Sequence, residues 1–190
     1  MQNSFVVADL NVLVNNAGAN WGASIETYPD SAFSKVLTLN LQRVFTLTQR
    51  LLPLLKKSLP PTPNGDGPWE NPARIINIGS IDGVRVPSLE TYAYSASKAG
   101  LHQLSRVFAG QLGPQGITSN TLACGAFETK MMAATLASAR DTIIDAVPLA
   151  RIGTQQDVGG TCVFLSSRAG AWINGATIAL DGGSLCSGKL

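Results

Sequence analysis

Short apolar runs that stop abruptly at polar or glycine clusters, alternating with long stretches of helical spacing, constrain this chain more than any other feature. Residues 11–14 and 74–78 are runs of the buried-strand type, 117–122 reads as a weak third strand, and 177–180 as a last one. They run into Asn15-Asn16-Ala17-Gly18, Gly79-Ser80, Cys124-Gly125 and Asp181-Gly182-Gly183. Between the first two, residues 31–55 place Phe33, Val36, Leu37, Leu41, Val44, Phe45, Thr48 and Leu52 near one helical face, with Pro53 in the last turns. Residues 92–112 have the spacing of a second long helix, stopped at Gly113-Pro114. Residues 129–146 and 154–166 also read as helices, with Asp157 in the first turn of the latter. The segment 60–72 holds five prolines and is expected to be a surface loop. Strand–helix alternation of this kind predicts one α/β domain over 1–190, a doubly wound parallel sheet covered on both faces. In such sheets ligands sit beyond the carboxyl ends of the strands, where these polar clusters fall.

Composition narrows the function classes. Hydrophobic residues make up 45% of the 190 residues and charged ones only 14%, which excludes a disordered chain. So sparse a charged coat predicts that some apolar surface meets a partner. The formal charge is +2 with no basic stripe, so nucleic acid is not an expected partner. Cys124, Cys162 and Cys186 are odd in number and widely spaced, which argues against a disulfide framework or a metal site and for a reducing, cytoplasmic location. No apolar stretch approaches the roughly 20 residues of a membrane span, and residues 1–10 lack the pattern of a secretory leader.

The strongest chemical feature is Tyr94-Ser95-Ala96-Ser97-Lys98. Positions four apart share a helical face, so phenol and ammonium point into one space. A nearby cation favours the phenolate, and this spacing predicts a lowered Tyr94 pKa suited to proton transfer. A solvated helix face is the bland alternative. Ser80, at a strand end, could donate a hydrogen bond to a carbonyl oxygen. Asn40 is polar amid Leu37, Leu39 and Leu41, where local back-bonding that bends the helix is the alternative. His102, the sole histidine, reads as a helix-packing residue, and Asp181 as a partner of the Gly182-Gly183 turn.

Asn15-Asn16-Ala17-Gly18, Asn40, Ser80 and Tyr94-x-x-x-Lys98, in this order, resemble the short-chain dehydrogenase/reductase family. Asn174-Gly175-Ala176-Thr177 and Asp181-Gly182-Gly183 resemble its last strand region, so the resemblance spans nearly the whole chain. Trp21-Gly22-Ala23, residues 51–55 and Leu101-His102-Gln103-Leu104-Ser105 look most like 3-ketoacyl reductases of the rhamnolipid type. The resemblance implies that Tyr94 is the proton donor to a ketone and Ser80 the holder of its oxygen. It implies that Lys98 binds the nicotinamide ribose and that Asn40 anchors a relay water. Asn15, Asn16, Ala17 and Gly18, with Gly125, Phe127 and Thr129, would line NADP or NAD, NADP being slightly favoured. The helices over 31–55 and 92–112 resemble those that pair subunits, so a homo-oligomer is expected.

Two departures from that pattern carry expectations. Cys124 stands where the family has proline before the glycine at 125, and is expected to act as a small filler. The sequence holds no glycine-rich phosphate loop of the Gly-x-Gly-x-x-Gly or Gly-x-x-x-Gly-x-Gly type. The resemblance then implies an incomplete Rossmann-type sheet lacking the first three strands, with residues 1–10 as the end of a preceding helix. It also implies weakened coenzyme binding and residues 12–14 as an edge strand. Two classes of function stay open at this point. One is an oxidoreductase interconverting a ketone and a secondary alcohol. The other is a shortened, non-catalytic chain that pairs with full-length subunits.

Overall fold

The computed structural model describes residues 8–61 and 67–188. Their strands are β1 (Val12–Asn15), β2 (Ala73–Ile78), β3 (Ile117–Cys124) and β4 (Thr177–Leu180). All pair in parallel in the order β1-β2-β3-β4, with Leu13 beside Ile75, Ala73 beside Ile117 and Leu122 beside Ile178. Parallel neighbours need crossovers, and the helices supply them. They are α1 (Asp30–Leu37), α2 (Arg43–Lys57), α3 (Tyr92–Leu112), α4 (Ala133–Asp145) and α5 (Gln155–Ser166). Among the described strands β1 lies at the sheet edge, and Val14 on it is half exposed.

Alternation along the buried strands divides the core in two. Leu13, Ala73, Ile75 and Ile117 pack with Leu55 of α2 and with Leu51, Leu52 and Leu112 on one face. Ile76 and Leu122 pack with Leu165, Val158 and Cys162 of α5 on the other. The side chain of Arg74 crosses that second layer. Its guanidinium donates to the Leu165 and Ser167 carbonyls at 3.1 and 3.2 Å, satisfying orphan acceptors at the end of α5. The start of α5 is closed by a capping box between Thr154 and Asp157.

Several sequence expectations change. The helix expected over 31–55 is interrupted by a π-turn, Thr38–Gln42, with Asn40 at its centre. The helix expected over 129–146 is shorter and breaks at Ala139, where φ is −137°. The strand expected over 117–122 runs on to Cys124 and is buried almost throughout. The Asn120 side chain on it is satisfied sideways, donating to Ile173 O at 2.7 Å and accepting from Ala176 N at 3.0 Å. The loop expected over 60–72 falls partly, and the helix end expected over 1–10 mostly, outside the described residues. No helix among the described residues is long and apolar enough to cross a membrane.

Candidate active site

The carboxyl ends of β1 and β2 and the amino-terminal half of α3 meet where the alternation places a crevice. Three ties hold them together. The first is Asn40, which is only 1% exposed. Its Oδ1 accepts from the Ala19 amide at 2.8 Å, and its Nδ2 donates to the Ala19 carbonyl at 2.9 Å and to Ser97 Oγ at 3.0 Å. Ser97 Oγ in turn donates to the Tyr94 carbonyl at 2.7 Å. The side chain thus reaches the loop after β1 and helix α3, and local back-bonding is not its role. The π-turn allows this by turning an extra residue inward.

The second tie is Lys98. It is buried on α3, and its Nζ donates to the Ile78 carbonyl at 2.7 Å while lying 5.5 Å from the Tyr94 ring centre. The third is His102, one turn further along, whose Nε2 accepts a long 3.4 Å hydrogen bond from the Ser80 amide. Ser80 caps the short turn Ile81–Gly83, its Oγ accepting from Asp82 N at 3.2 Å.

Glycines let these groups close up. A methyl group at Gly18 would lie 3.4 Å from Asn40 Oδ1 and 3.7 Å from Lys98 Nζ, so the loop after β1 passes directly over both. Such a group at Gly125 would sit 2.9 Å from the Asp181 Cα, against the turn that Asp181 organises by accepting from Gly183 N and Leu185 N at 2.9 and 2.7 Å. Beneath the crevice Asn15 Nδ2 donates to Asn77 Oδ1 at 2.8 Å. Asn77 Nδ2 continues to Ser105 and Ser119, which joins β1, β2, β3 and α3 in one buried polar network.

Burial dominates the electrostatics. It pushes the Tyr94 phenol above its ordinary value; the Ser80 hydroxyl pulls the other way, and the nearby Asp82 and Cys124 raise it further. The expectation that Lys98 lowers Tyr94 is therefore not met: burial of the phenol dominates, and the ammonium, itself desolvated and brought down to about 8, is directed at the Ile78 carbonyl. Tyr94 is a neutral phenol at physiological pH, the protonation state that an acid needs. The Cys124 thiol is pushed up to about 11 by burial, and its side chain packs beside Ile76 and Leu122 as a filler, not a nucleophile.

The structure thus brings together Asn40, Ser80, Tyr94, Lys98, Gly18 and the end of β1. Asn16 and Ala17 are exposed in the loop after β1. Phe127 and Thr129 are held by other contacts: Phe127 bridges to Gly153, and Thr129 Oγ1 accepts from Met132 N at 3.3 Å. Sequence reasoning missed Ala19, Ser97 and the His102–Ser80 tie. The signal for the last two was a stripe of polar residues, Ser97, His102 and Ser105, on the buried face of α3. No cluster of His, Cys, Asp and Glu among the described residues could hold a metal ion.

Residues 4–184 match a family model described as Enoyl-(Acyl carrier protein) reductase. The chain is 41% identical over 178 residues to a rhamnolipids biosynthesis 3-oxoacyl-[acyl-carrier-protein] reductase of Pseudomonas aeruginosa, covering 93% of this chain and 66% of that protein. It is 35% identical to a 2-dehydro-3-deoxy-D-gluconate 5-dehydrogenase of Bacillus subtilis, covering 93% and 65%. The structure resembles a Pseudomonas aeruginosa RhlG/NADP active-site complex with a TM-score of 0.85 at 40% identity, covering 93% of this chain and 67% of that one. The chain spans about two thirds of the length of the relatives it matches.

Proposed function

Since this chain belongs to the short-chain dehydrogenase/reductase family, we propose that it carries the proton-transfer site of an NADP(H)-dependent oxidoreductase that interconverts a ketone and a secondary alcohol. A 3-oxoacyl thioester is the substrate class that its similarity to the rhamnolipid reductase favours. The observation that carries the reading is the convergence of Ser80, Tyr94 and Lys98 at one strand end, with Asn40 tying the adjoining loop to the same helix.

The residues present fit the nicotinamide end of the coenzyme. The bare Cα of Gly18 over Lys98 is a cradle that a side chain would fill. Lys98 gives one of its three N–H groups to Ile78, leaving two for ribose hydroxyls. When bound, the coenzyme supplies the hydride, chemistry no side chain can provide. The remaining work belongs to the chain. Ser80 Oγ donates to the substrate oxygen and holds it at Tyr94. Tyr94 passes its phenolic proton to that oxygen in reduction and retrieves it in oxidation. Asn40 keeps the loop at Ala19 against α3 and, on the family resemblance, anchors the water that returns a proton by way of Lys98.

The 190 residues contain no glycine-rich phosphate loop, so the reading covers the ribose and nicotinamide contacts and not the pyrophosphate ones. The sheet that lacks the family's first three strands is part of the same proposal. So is self-association through the faces of α1, α2 and α3 that expose Phe33, Phe45, Leu47 and Val107. Neither the site nor the relatives favour a non-catalytic pairing chain.

The test is a titration of NADPH into the purified chain, followed by tryptophan fluorescence, with reduction of a 3-oxoacyl thioester assayed in parallel. Saturable quenching with thioester-dependent NADPH oxidation is expected. Quenching without turnover of any ketone, or turnover that Tyr94→Phe leaves intact, would overturn the assignment.

A further inference from the structure

The single histidine is built into the site in a way the reaction just proposed does not use. His102 lies one turn beyond Lys98 on α3 and is 3% exposed. Lys98 and His102 grip opposite polarities of the same strand end. Lys98 donates to the Ile78 carbonyl, while His102 Nε2 accepts from the Ser80 amide two residues later. The residue between, Gly79, has no side chain where one would overlap the imidazole Nε2 and the Thr121 methyl group. Gly83 likewise leaves room, since a methyl group there would lie 3.0 Å from His102 Cε1. Ser80 is buried, so its amide needs an acceptor, and an imidazole nitrogen can accept only when it carries no proton.

We propose that His102 is a positioning residue whose uncharged Nε2 fixes the Ser80 main chain, and through it the Ser80 hydroxyl that holds the substrate oxygen. Protonation converts that nitrogen from acceptor to donor facing another donor, which releases Ser80 and gives turnover an acid limb. The surroundings enforce the uncharged form. Burial first, then the cations of Lys98 and Arg106 on the same helix, bring the imidazole down to about 4. Gly83 and Thr121 beside the ring are uncharged, and so are the residues from other elements that line one cavity with it, Val84, Ala123, Thr177, Ala179 and Leu185. The turn's own carboxylate, Asp82, is paired with Arg85 at 3.8 Å. The proposal rests on the reading of Ser80 and Tyr94 as the reacting groups, but its first test does not.

That test is nitrogen NMR of the imidazole, unambiguous because the chain has one histidine. A proton on Nδ1, a bare Nε2 and titration well below pH 6 are expected. A proton on Nε2, or titration near the ordinary value, overturns the proposal whatever the chain catalyses. The second test is kinetic. His102→Gln keeps an acceptor at the Nε2 position, whereas His102→Leu keeps only bulk. The Leu variant is expected to lose about tenfold to a hundredfold in kcat, with the Kd for NADPH unchanged, the size of effect that follows from displacing a reacting group by an ångström. The Gln variant is expected to recover most of that loss and to lack the acid limb. Equal kcat in the Leu variant and the unaltered chain, or an acid limb that survives in the Gln variant, overturns the proposal. A chain with the expected imidazole but no ketone reduction overturns the proposed reaction and leaves the His102–Ser80 tie standing.

Discussion

At the scale of single residues, a neutral phenol, a hydroxyl and a desolvated ammonium stand within one crevice. Removing the Tyr94 hydroxyl by Tyr94→Phe takes away the proton and little else. A fall of about 10²–10⁴ in turnover with unchanged NADPH affinity is the expected outcome, read from initial rates beside a fluorescence titration. The buried imidazole also sets how stability depends on pH. Because its folded value is about 4 against an ordinary 6.5, the unfolded chain binds the extra proton between those values, and stability falls as pH drops through that window. Denaturant unfolding at pH 8 and pH 5 is expected to differ by about 2 kcal/mol from this group, and His102→Leu should flatten the difference. Tyr94, Lys98 and Ser80 stood out in the sequence because spacing on a helix and position at a strand end are local properties, whereas Asn40 entered through the family resemblance and its ties to Ala19 and Ser97 did not show. His102 and Ser97 did not stand out. Their partners are a main-chain amide 22 residues away and an asparagine 57 residues away; the polar stripe of Ser97, His102 and Ser105 on α3 marks a buried polar face but not which partners it meets.

At the scale of elements, the bounds of Tyr92–Leu112 and Thr177–Leu180 followed from periodicity and their stop signals. The π-turn was invisible, since one extra residue barely disturbs an apolar stripe while it swings Asn40 inward. β3 looked weak because Ser119, Asn120 and Thr121 are polar. The Ser119 amide and the Asn120 side chain find partners at Asn174 and Ile173, more than 50 residues downstream. The Ser119 hydroxyl finds Ser105 and Asn77, and the Thr121 hydroxyl is buried without a partner among the described residues. Arg74 shows how a strand can fasten a helix. Replacing it by Met removes the donor to the Leu165 carbonyl and one of two donors to the Ser167 carbonyl, which keeps the Gly170 amide, and a buried carbonyl left without a partner costs about 1–3 kcal/mol. Arg74→Met is expected to lower overall stability by a few kcal/mol and to speed amide hydrogen exchange in the last turn of α5 ahead of the rest. Uniform exchange along α5 would assign the cap elsewhere.

At the scale of the whole molecule, two apolar layers enclose a four-stranded parallel sheet, and aromatic and aliphatic side chains remain outside them. Phe45, which stacks on Phe108 at 6.1 Å, and Val107 are each nearly half exposed on neighbouring helices. Such a patch is costly to leave in water. Sedimentation velocity at micromolar concentration is expected to show a dimer or larger species, and Phe45→Glu combined with Val107→Glu should return it to monomer without loss of secondary structure. A chain already monomeric before substitution would mean that this face has another use. The low charged fraction had pointed to a partner surface, but composition has no location, and only the packing of α1 and the π-turn against α3 shows which face is left over.

The ties around the crevice run to main-chain atoms: the carbonyl of Ile78, the amide of Ser80 and both polar groups of Ala19. The exposed side chains that flank them in sequence, Trp21, Val84, Val86 and Leu89, make none of these bonds. A library randomised at Trp21, Val86 and Leu89, leaving Val84 beside His102 as it is, would therefore vary exposed side chains without touching what holds the crevice together. On the proposed function, substrate preference and proton transfer would then be separable traits, so selection could redirect the first while the second is inherited whole.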